Sequence, residues 1–326
     1  MSGKTVLICG VCGQDGAYLA HNLLHKGYRV VGTTRVLPSA PPANLARLGI
    51  SDHVALHATA LQNRDTVREL LATIAPDEIY HLSGQSSVGA SFERPQETWD
   101  SIVPPTLNLL EAVRLDGRPT RFFLAGSGDC FGDTRGLPAD ETTPFRPQSP
   151  YATAKAAATW AVATYRQAYD LFACTGILFN HESPLRPERF VTQKVIAAAR
   201  AIAAGRQESL RLGNLAVVRD WGWAPEYVEA MARMLTANTP ADYVIGSGRP
   251  TPLREFVRLA FHHYGLDWPE HVIVDDALFR KNEIPVSVAD PAATTQQLGW
   301  KAELTIEDII QRIAEGWTET LSSPQP

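Results

Sequence analysis

The chain has 326 residues, of which 44% are apolar and 20% charged, with a formal net charge of −5. That length buries a full core and exceeds a usual single domain, so one large α/β unit with a smaller second lobe is expected. The acidic balance carries no basic footprint for nucleic acid and no apolar run reaches membrane length, which points to a small-molecule partner and a cytoplasmic setting. Four scattered cysteines (Cys9, Cys12, Cys130, Cys174) do not make a disulfide framework. With no second pair beside Cys9 and Cys12, no metal site is expected.

Residues 4–9 read as a short apolar strand that runs into Gly10, Gly13 and Gly16 and then a helix over 15–26. Further strands are predicted over 28–33, 53–57, 77–82 and 121–125, with helices over 64–74 and 96–115, the alternation that a parallel sheet with covering helices requires. Pro104 and Pro105 should kink or break the last of these, because proline lacks a donor and clashes with the preceding turn. An alanine-rich helix over 151–169 starts behind Pro150, and 172–179 reads as a sixth strand. Thereafter prolines punctuate loops, as in a lobe built from insertions after the sheet. A final amphipathic helix is predicted over 304–321, with 322–326 as a frayed tail. The fold class expected is a Rossmann-like, doubly wound parallel α/β sheet: 1–179 with 216–246 form the dinucleotide-binding domain, and 180–215 with 247–326 a smaller, mostly C-terminal lobe.

Glycines at 10, 13 and 16, between a strand and a helix, let backbone N–H groups approach a pyrophosphate at the helix N-terminus, and Gln14 and Asp15 lie in the same turn. The sequence at the end of the second strand, Gly32-Thr33-Thr34-Arg35, has no acid to grip the ribose hydroxyls of NAD. Arg35 offers charged donors to a 2′-phosphate, so NADP is favoured over NAD.

Tyr151 and Lys155, four apart on a helix, share one face. The lysine charge is expected to lower the phenol pKa so that the tyrosinate takes a hydroxyl proton, and Ser127, at the end of the fifth strand, hydrogen-bonds the same hydroxyl. Asp129 stands between them. Simple alcohol oxidation does not need this carboxylate, and it turns the reading from redox chemistry toward elimination.

These residues resemble the extended short-chain dehydrogenase/reductase family and, within it, the GDP-mannose 4,6-dehydratases. The likeness covers nearly the whole chain through Gly13-Gln14-Asp15-Gly16-Ala17-Tyr18-Leu19-Ala20, the block 85–93, Ser149-Pro150-Tyr151-Ala152, the block 176–184, Phe190-Val191-Thr192-Gln193-Lys194, Arg219-Asp220-Trp221-Gly222 and Leu298-Gly299-Trp300. It implies a redox-neutral cycle on a GDP-linked sugar, GDP-mannose or a relative such as GDP-mannoheptose. In that cycle Tyr151 takes the 4-hydroxyl proton and Asp129 the carbon 5 proton, and the 6-hydroxyl leaves as water. It further implies Leu82, Gln85, His181 and Arg186 at the cofactor, and Ser86, Asn180, Thr192, Lys194, Arg219, Arg280 and Glu283 at the substrate. A homo-oligomer, dimer or tetramer, follows from the same likeness.

The chain also departs from that pattern. Ser127-Gly128-Asp129 stands where the family usually has Thr-Ser-Glu, which shortens the base by one methylene and leaves no second acid at 128. Ser87 replaces a usual His, Ala60 a usual Asp, and only Arg35 remains of an Arg-Arg pair. The alternative reading is an NADP-dependent nucleotide-sugar reductase or 4-epimerase, which needs Ser127, Tyr151 and Lys155 but no acid at 129. A non-catalytic dinucleotide sensor would need neither Tyr151 nor Lys155.

Overall fold

A computed structural model describes residues 3–37 and 39–316. Among these, the strands in chain order are β1 (Thr5–Cys9), β2 (Arg29–Thr34), β3 (Val54–Ala58), β4 (Glu78–His81), β5 (Arg121–Ala125) and β6 (Ala173–Leu178). There follow β7 (Asn180–Glu182), β8 (Leu210–Leu212), β9 (Val218–Trp223), β10 (Tyr243–Ile245), β11 (Pro250–Pro252), β12 (Val272–Val274) and β13 (Val286–Ser287). The helices of the first half are α1 (Gln14–His25), α2 (Ala43–Arg47), α3 (Arg64–Ile74), α4 (Val88–Glu93), α5 (Pro95–Asp116) and α6 (Pro150–Tyr169). Those of the second half are α7 (Val191–Ala203), α8 (Ala224–Thr236), α9 (Leu253–His263), α10 (Ala292–Leu298) and α11 (Ile306–Ala314).

Seven strands pair in parallel in the order β10-β6-β5-β4-β1-β2-β3. The central strands are buried on both faces, so β1 and β5 read as nearly continuous apolar runs, while β4 carries buried Glu78 and His81 at its ends. One core layer joins α1 and α8 to the sheet through Leu19, Leu23, Tyr227 and Met231, and the other joins α3, α5 and α6 through Leu70, Leu109 and Val162. Local signals set the helix ends. Asn63 caps α3 by accepting from the amides of Asp65 and Thr66, and Ser149 caps α6 by accepting from that of Ala152, with Pro150 at the first helical position.

The second sheet is built on β9, which pairs with β11 and β13 through its first half and with β7 through its second. Thus β9 lies apart from the parallel sheet although α8, directly after it, packs against that sheet. A separate core of Ile202, Phe256, Phe261 and Ile309 unites α7, α9 and α11.

Pro104 and Pro105 do not break α5, which is helical through both. Buried Ile102, Val103, Pro105 and Leu109 hold this segment in the core against α3 and α6, and that packing outweighs the missing donors. The described part of the last helix is shorter than 304–321: a Thr305–Asp308 capping box starts it, and Gly316, at φ +68°, takes the left-handed conformation that follows a helix end. Residues 317–321 and the tail 322–326 lie outside the described residues.

Candidate active site

The carboxyl ends of β1, β4, β5 and β6 converge with β7 and the segment after it on a cavity of about 410 Å³. A second cavity, about 890 Å³, extends over the ends of β1 and β2. The first holds Ser127, Asp129, Tyr151, Lys155, Asn180, His181, Arg186, Thr192, Arg219, Arg280 and Glu283 among its walls. Arg35 and Gln85 line the second, and Gly10, Gly13, Leu82 and Ser86 line both.

The glycine loop is shaped by backbone contact. Gly10 has φ +91°, and a Cβ on Gly16 would stand 2.3 Å from the Gly10 carbonyl oxygen. The N-terminus of α1 has no side-chain cap, which leaves its partial positive charge to the cavity. Gln14 and Asp15 turn toward the second sheet. The Gln14 amide donates to the His181 carbonyl at 3.2 Å and accepts from the Ser183 hydroxyl at 2.8 Å, while Asp15 Oδ1 lies 3.0 Å from His181 Nε2. Burial works against the Asp15 charge, but His181 and the Gln14 amide bring its pKa down to about 2. The same contact raises His181 despite its burial.

Ser127 lies two residues past the end of β5 and accepts from the amide of Asp129 at 3.3 Å. Its side chain is also hydrogen-bonded to Tyr151. Lys155, one turn along α6 from Tyr151, is buried and donates to the Ala125 carbonyl at 2.9 Å, with Nζ 5.9 Å from the Tyr151 ring centroid. Burial brings the Lys155 ammonium down to about 8. The expected lowering of the phenol is not what this geometry produces. Burial and then the Asp129 charge hold the Tyr151 phenol well above its ordinary range, offset in part by the Ser127 hydrogen bond and Arg186, because Lys155 is turned onto a backbone carbonyl.

Asp129 is also raised by burial, with Arg219 and Arg280 pulling it back. Beside it, a Cβ on Gly128 would lie 3.1 Å from the Phe179 ring, so that ring fills the space a second side chain would need. Arg219 donates to the carbonyls of Val218 and Ile284, both at 2.8 Å, and to Glu283 Oε1 at 2.9 Å; Arg280 reaches the same Glu283 oxygen at 3.9 Å. The neighbours of Arg219 in β9 explain its placement. Asp220 accepts from the Ser247 amide and hydroxyl and from the Gly248 and Ala289 amides, while Gly222 has no room for a side chain under the Tyr227 ring.

Family-model matching identifies GDP-mannose 4,6 dehydratase over residues 7–313. GDP-mannose 4,6 dehydratase 1 of Arabidopsis thaliana is 41% identical over 322 residues, covering 96% of this chain and 89% of the relative. GDP-mannose 4,6-dehydratase of Yersinia enterocolitica is 39% identical, covering 96% and 93%. The chain belongs to the GDP-mannose 4,6-dehydratase family. Its fold is shared with the solved dTDP-glucose 4,6-dehydratase of Streptomyces venezuelae, at TM-score 0.85 and 20% identity over 96% of both chains.

Within this family member not every expected residue reaches the cavities. Lys194 is exposed on α7 and donates to the Arg211 carbonyl at 2.9 Å. The Gln85 amide is spent on its own surroundings, donating to the Ser87 carbonyl and the Thr98 hydroxyl, so it shapes the loop that presents Ser86. Thr192 is buried and donates to Glu182 Oε2 at 2.6 Å, an oxygen 3.2 Å from Arg186 Nε. Glu182 therefore organises Thr192 and Arg186 together. Sequence reasoning gave Glu182 no role, although it lies inside the 176–184 block. Burial pushes the thiols of Cys9 and Cys130 up to about 12. No cluster of metal-ligating side chains occurs among the described residues.

Proposed function

We propose that this chain converts GDP-mannose to its 4-keto-6-deoxy derivative by removing water, with NADP as resident cofactor. The carrying observation is Asp129, at the wall of the same cavity as Tyr151 and Ser127, with Arg219 and Arg280 near enough to act on its charge. A reductase or 4-epimerase has no use for an acid at that point.

The glycine loop fits a dinucleotide: Gly10, Gly13 and Gly16 bring backbone to the wall, α1 presents an uncapped N-terminus, and Leu82, Gln85, His181 and Arg186 complete the surround. Arg35, exposed at the end of β2, is placed to meet a 2′-phosphate, and no carboxylate lies beside it in the cavity's β2 wall. When bound, NADP would supply a reversible hydride acceptor for the sugar, held by the glycine loop with Leu82, Gln85, His181 and Arg186 around it.

Tyr151 receives the 4-hydroxyl proton while Ser127 holds that hydroxyl, and because burial and the Asp129 charge hold the phenol up, the step requires Lys155 to leave the Ala125 carbonyl and bring its charge to the phenol. Ketone formation at carbon 4 acidifies carbon 5, whose proton goes to Asp129. With no side chain at 128, Asp129 also delivers a proton to the departing 6-hydroxyl. Arg219 and Arg280 hold the diphosphate, Arg for its paired donors, with Glu283 aligning both. Ser86, Asn180 and Thr192, all at the wall of the smaller cavity, complete the proposed substrate contacts, and Lys194, turned away onto the Arg211 carbonyl, is left out of them. The proposed lobes are 1–179 with 216–246 and 180–215 with 247–326, except that β9, inside the first range, pairs with strands of the second. We place the enzyme in the cytoplasm as a homo-oligomer, and no helix among the described residues is long and apolar enough to cross a membrane.

The reading is tested by mass spectrometry of the purified protein incubated with GDP-mannose, a GDP-mannoheptose and other nucleotide sugars. Loss of one water from a GDP-sugar is the expected result. Reduction or epimerisation without water loss would replace this reading with the alternative.

A further inference from the structure

The two cavities meet at a neck, and their shared walls are Gly10, Gly13, Leu82, Gly84, Ser86 and Ser87 together with one charged residue, Arg189. Other Lys and Arg residues belong to one chamber only: Lys155, Arg186, Arg219, Arg280 and Lys281 to the smaller, Arg35 and Arg94 to the larger. Gly10 and Gly13 form the glycine-loop wall of the neck, and the 184–190 segment supplies Arg189.

That segment is a built turn. The Arg186 amide donates to the Ser183 carbonyl and the Phe190 amide to the Pro187 carbonyl, both at 3.1 Å. The guanidinium of Arg186 lies 4.0 Å from the Phe190 ring centroid, and that of Arg189 lies 4.9 Å from it. The two arginines differ in their partners. Arg186 is paired with Glu182, whereas Arg189 is exposed and makes no salt bridge among the described residues. The carboxylate on the glycine-loop side, Asp15, is already matched by His181. A dinucleotide with its two halves in the two chambers must put its pyrophosphate in the neck, and two phosphate charges there meet the α1 N-terminus from one side.

We infer that Arg189 binds the cofactor pyrophosphate from the side of the 184–190 segment, so that this strap retains the dinucleotide through the internal hydride cycle. The inference rests on the cofactor reading above. It assigns to Arg189 a contact with a part common to NADP and NAD, in contrast to Arg35, whose contact is with the 2′-phosphate alone.

The test uses full-length protein freed of bound nucleotide, with calorimetric titration of NADP, NAD and GDP into the unmodified chain, Arg189→Ala and Arg189→Lys. Arg189→Ala should weaken NADP and NAD by a common factor of about ten to a hundred, as for a lost hydrogen bond to a charged group, and speed NADP release. GDP affinity should stay unchanged, which also reports that the variant is folded, and Arg189→Lys should recover part of the loss. Unchanged dinucleotide affinity in Arg189→Ala, a loss confined to NADP, or an equal loss of GDP would each overturn the assignment. If Arg189→Ala does not fold, a lysine variant that matches the unmodified chain in both release rate and affinity overturns it, and a weakened one supports it. Failure of the unmodified chain to bind either dinucleotide would instead remove the cofactor reading itself.

Discussion

His181 Nε2 lies 3.0 Å from Asp15 Oδ1 and His181 Nδ1 lies 2.7 Å from the Phe179 carbonyl, so both ring nitrogens face acceptors, an arrangement that favours the protonated imidazole. This pair fastens the glycine loop to β7, with the His181 ring stacked on Tyr227 at 4.6 Å. Asp15, lowered from 3.8 to about 2, contributes stability above its unfolded pKa that is lost as pH falls through the folded value. His181, raised from 6.5, contributes stability below that value that is lost as pH rises through its higher folded pKa. The pair therefore stabilises most between the two unfolded values. His181→Asn should cost about 1–3 kcal/mol in denaturant unfolding in that window, with a smaller difference toward either extreme of pH. A difference independent of pH would show that the pair is not charged.

Replacing the buried Arg219 with Ala should weaken GDP-mannose binding by roughly 2–5 kcal/mol, as for truncating one partner of a buried charge pair, and replacing the exposed Arg280 should weaken it by less. NADP affinity should stay the same. Titration of both ligands separates a diphosphate contact from general misfolding, which would weaken the two alike.

Elements with strong local signals were legible from sequence: α3 occupies the predicted 64–74, and β5 the predicted 121–125. What needed tertiary information was not legible. Residue order cannot show that α5 is held by packing through Pro104 and Pro105, or that β9 leaves the parallel sheet for β7, β11 and β13. At the site, spacing alone places Tyr151 and Lys155 on one face of α6. It does not reveal that Lys155 bonds a carbonyl 30 positions away, or that Tyr151 shares its surroundings with the Asp129 charge. Arg189 carries no recognisable motif and emerges only from the meeting of two cavities.

Arg35 is the cation at the end of β2 in the larger cavity, with no acid at the strand end. NADP should bind more tightly than NAD, and Arg35→Ala should narrow that preference by about tenfold through loss of NADP affinity alone. Calorimetry of both dinucleotides checks this, and equal affinities in the unmodified chain would contradict it.

The kcat/KM profile should be bell-shaped. It should rise as pH climbs through the Asp129 pKa, held above the ordinary carboxylate value of 3.8, and fall as pH passes about 8, where Lys155 loses its proton. Asp129→Glu should move the acid limb and leave the basic one in place. An acid limb that stays put would assign it to another group.

The central claim is that Asp129 makes this site an eliminating one, and single-turnover analysis of Asp129→Asn in deuterated solvent tests it most directly. Oxidation at carbon 4 should proceed with Tyr151 intact, so that reduced cofactor and a 4-keto sugar accumulate while water loss stops. Formation of the 6-deoxy product at near-native rate, with solvent deuterium entering carbon 5 normally, would contradict it and return the site to the reductase or epimerase reading.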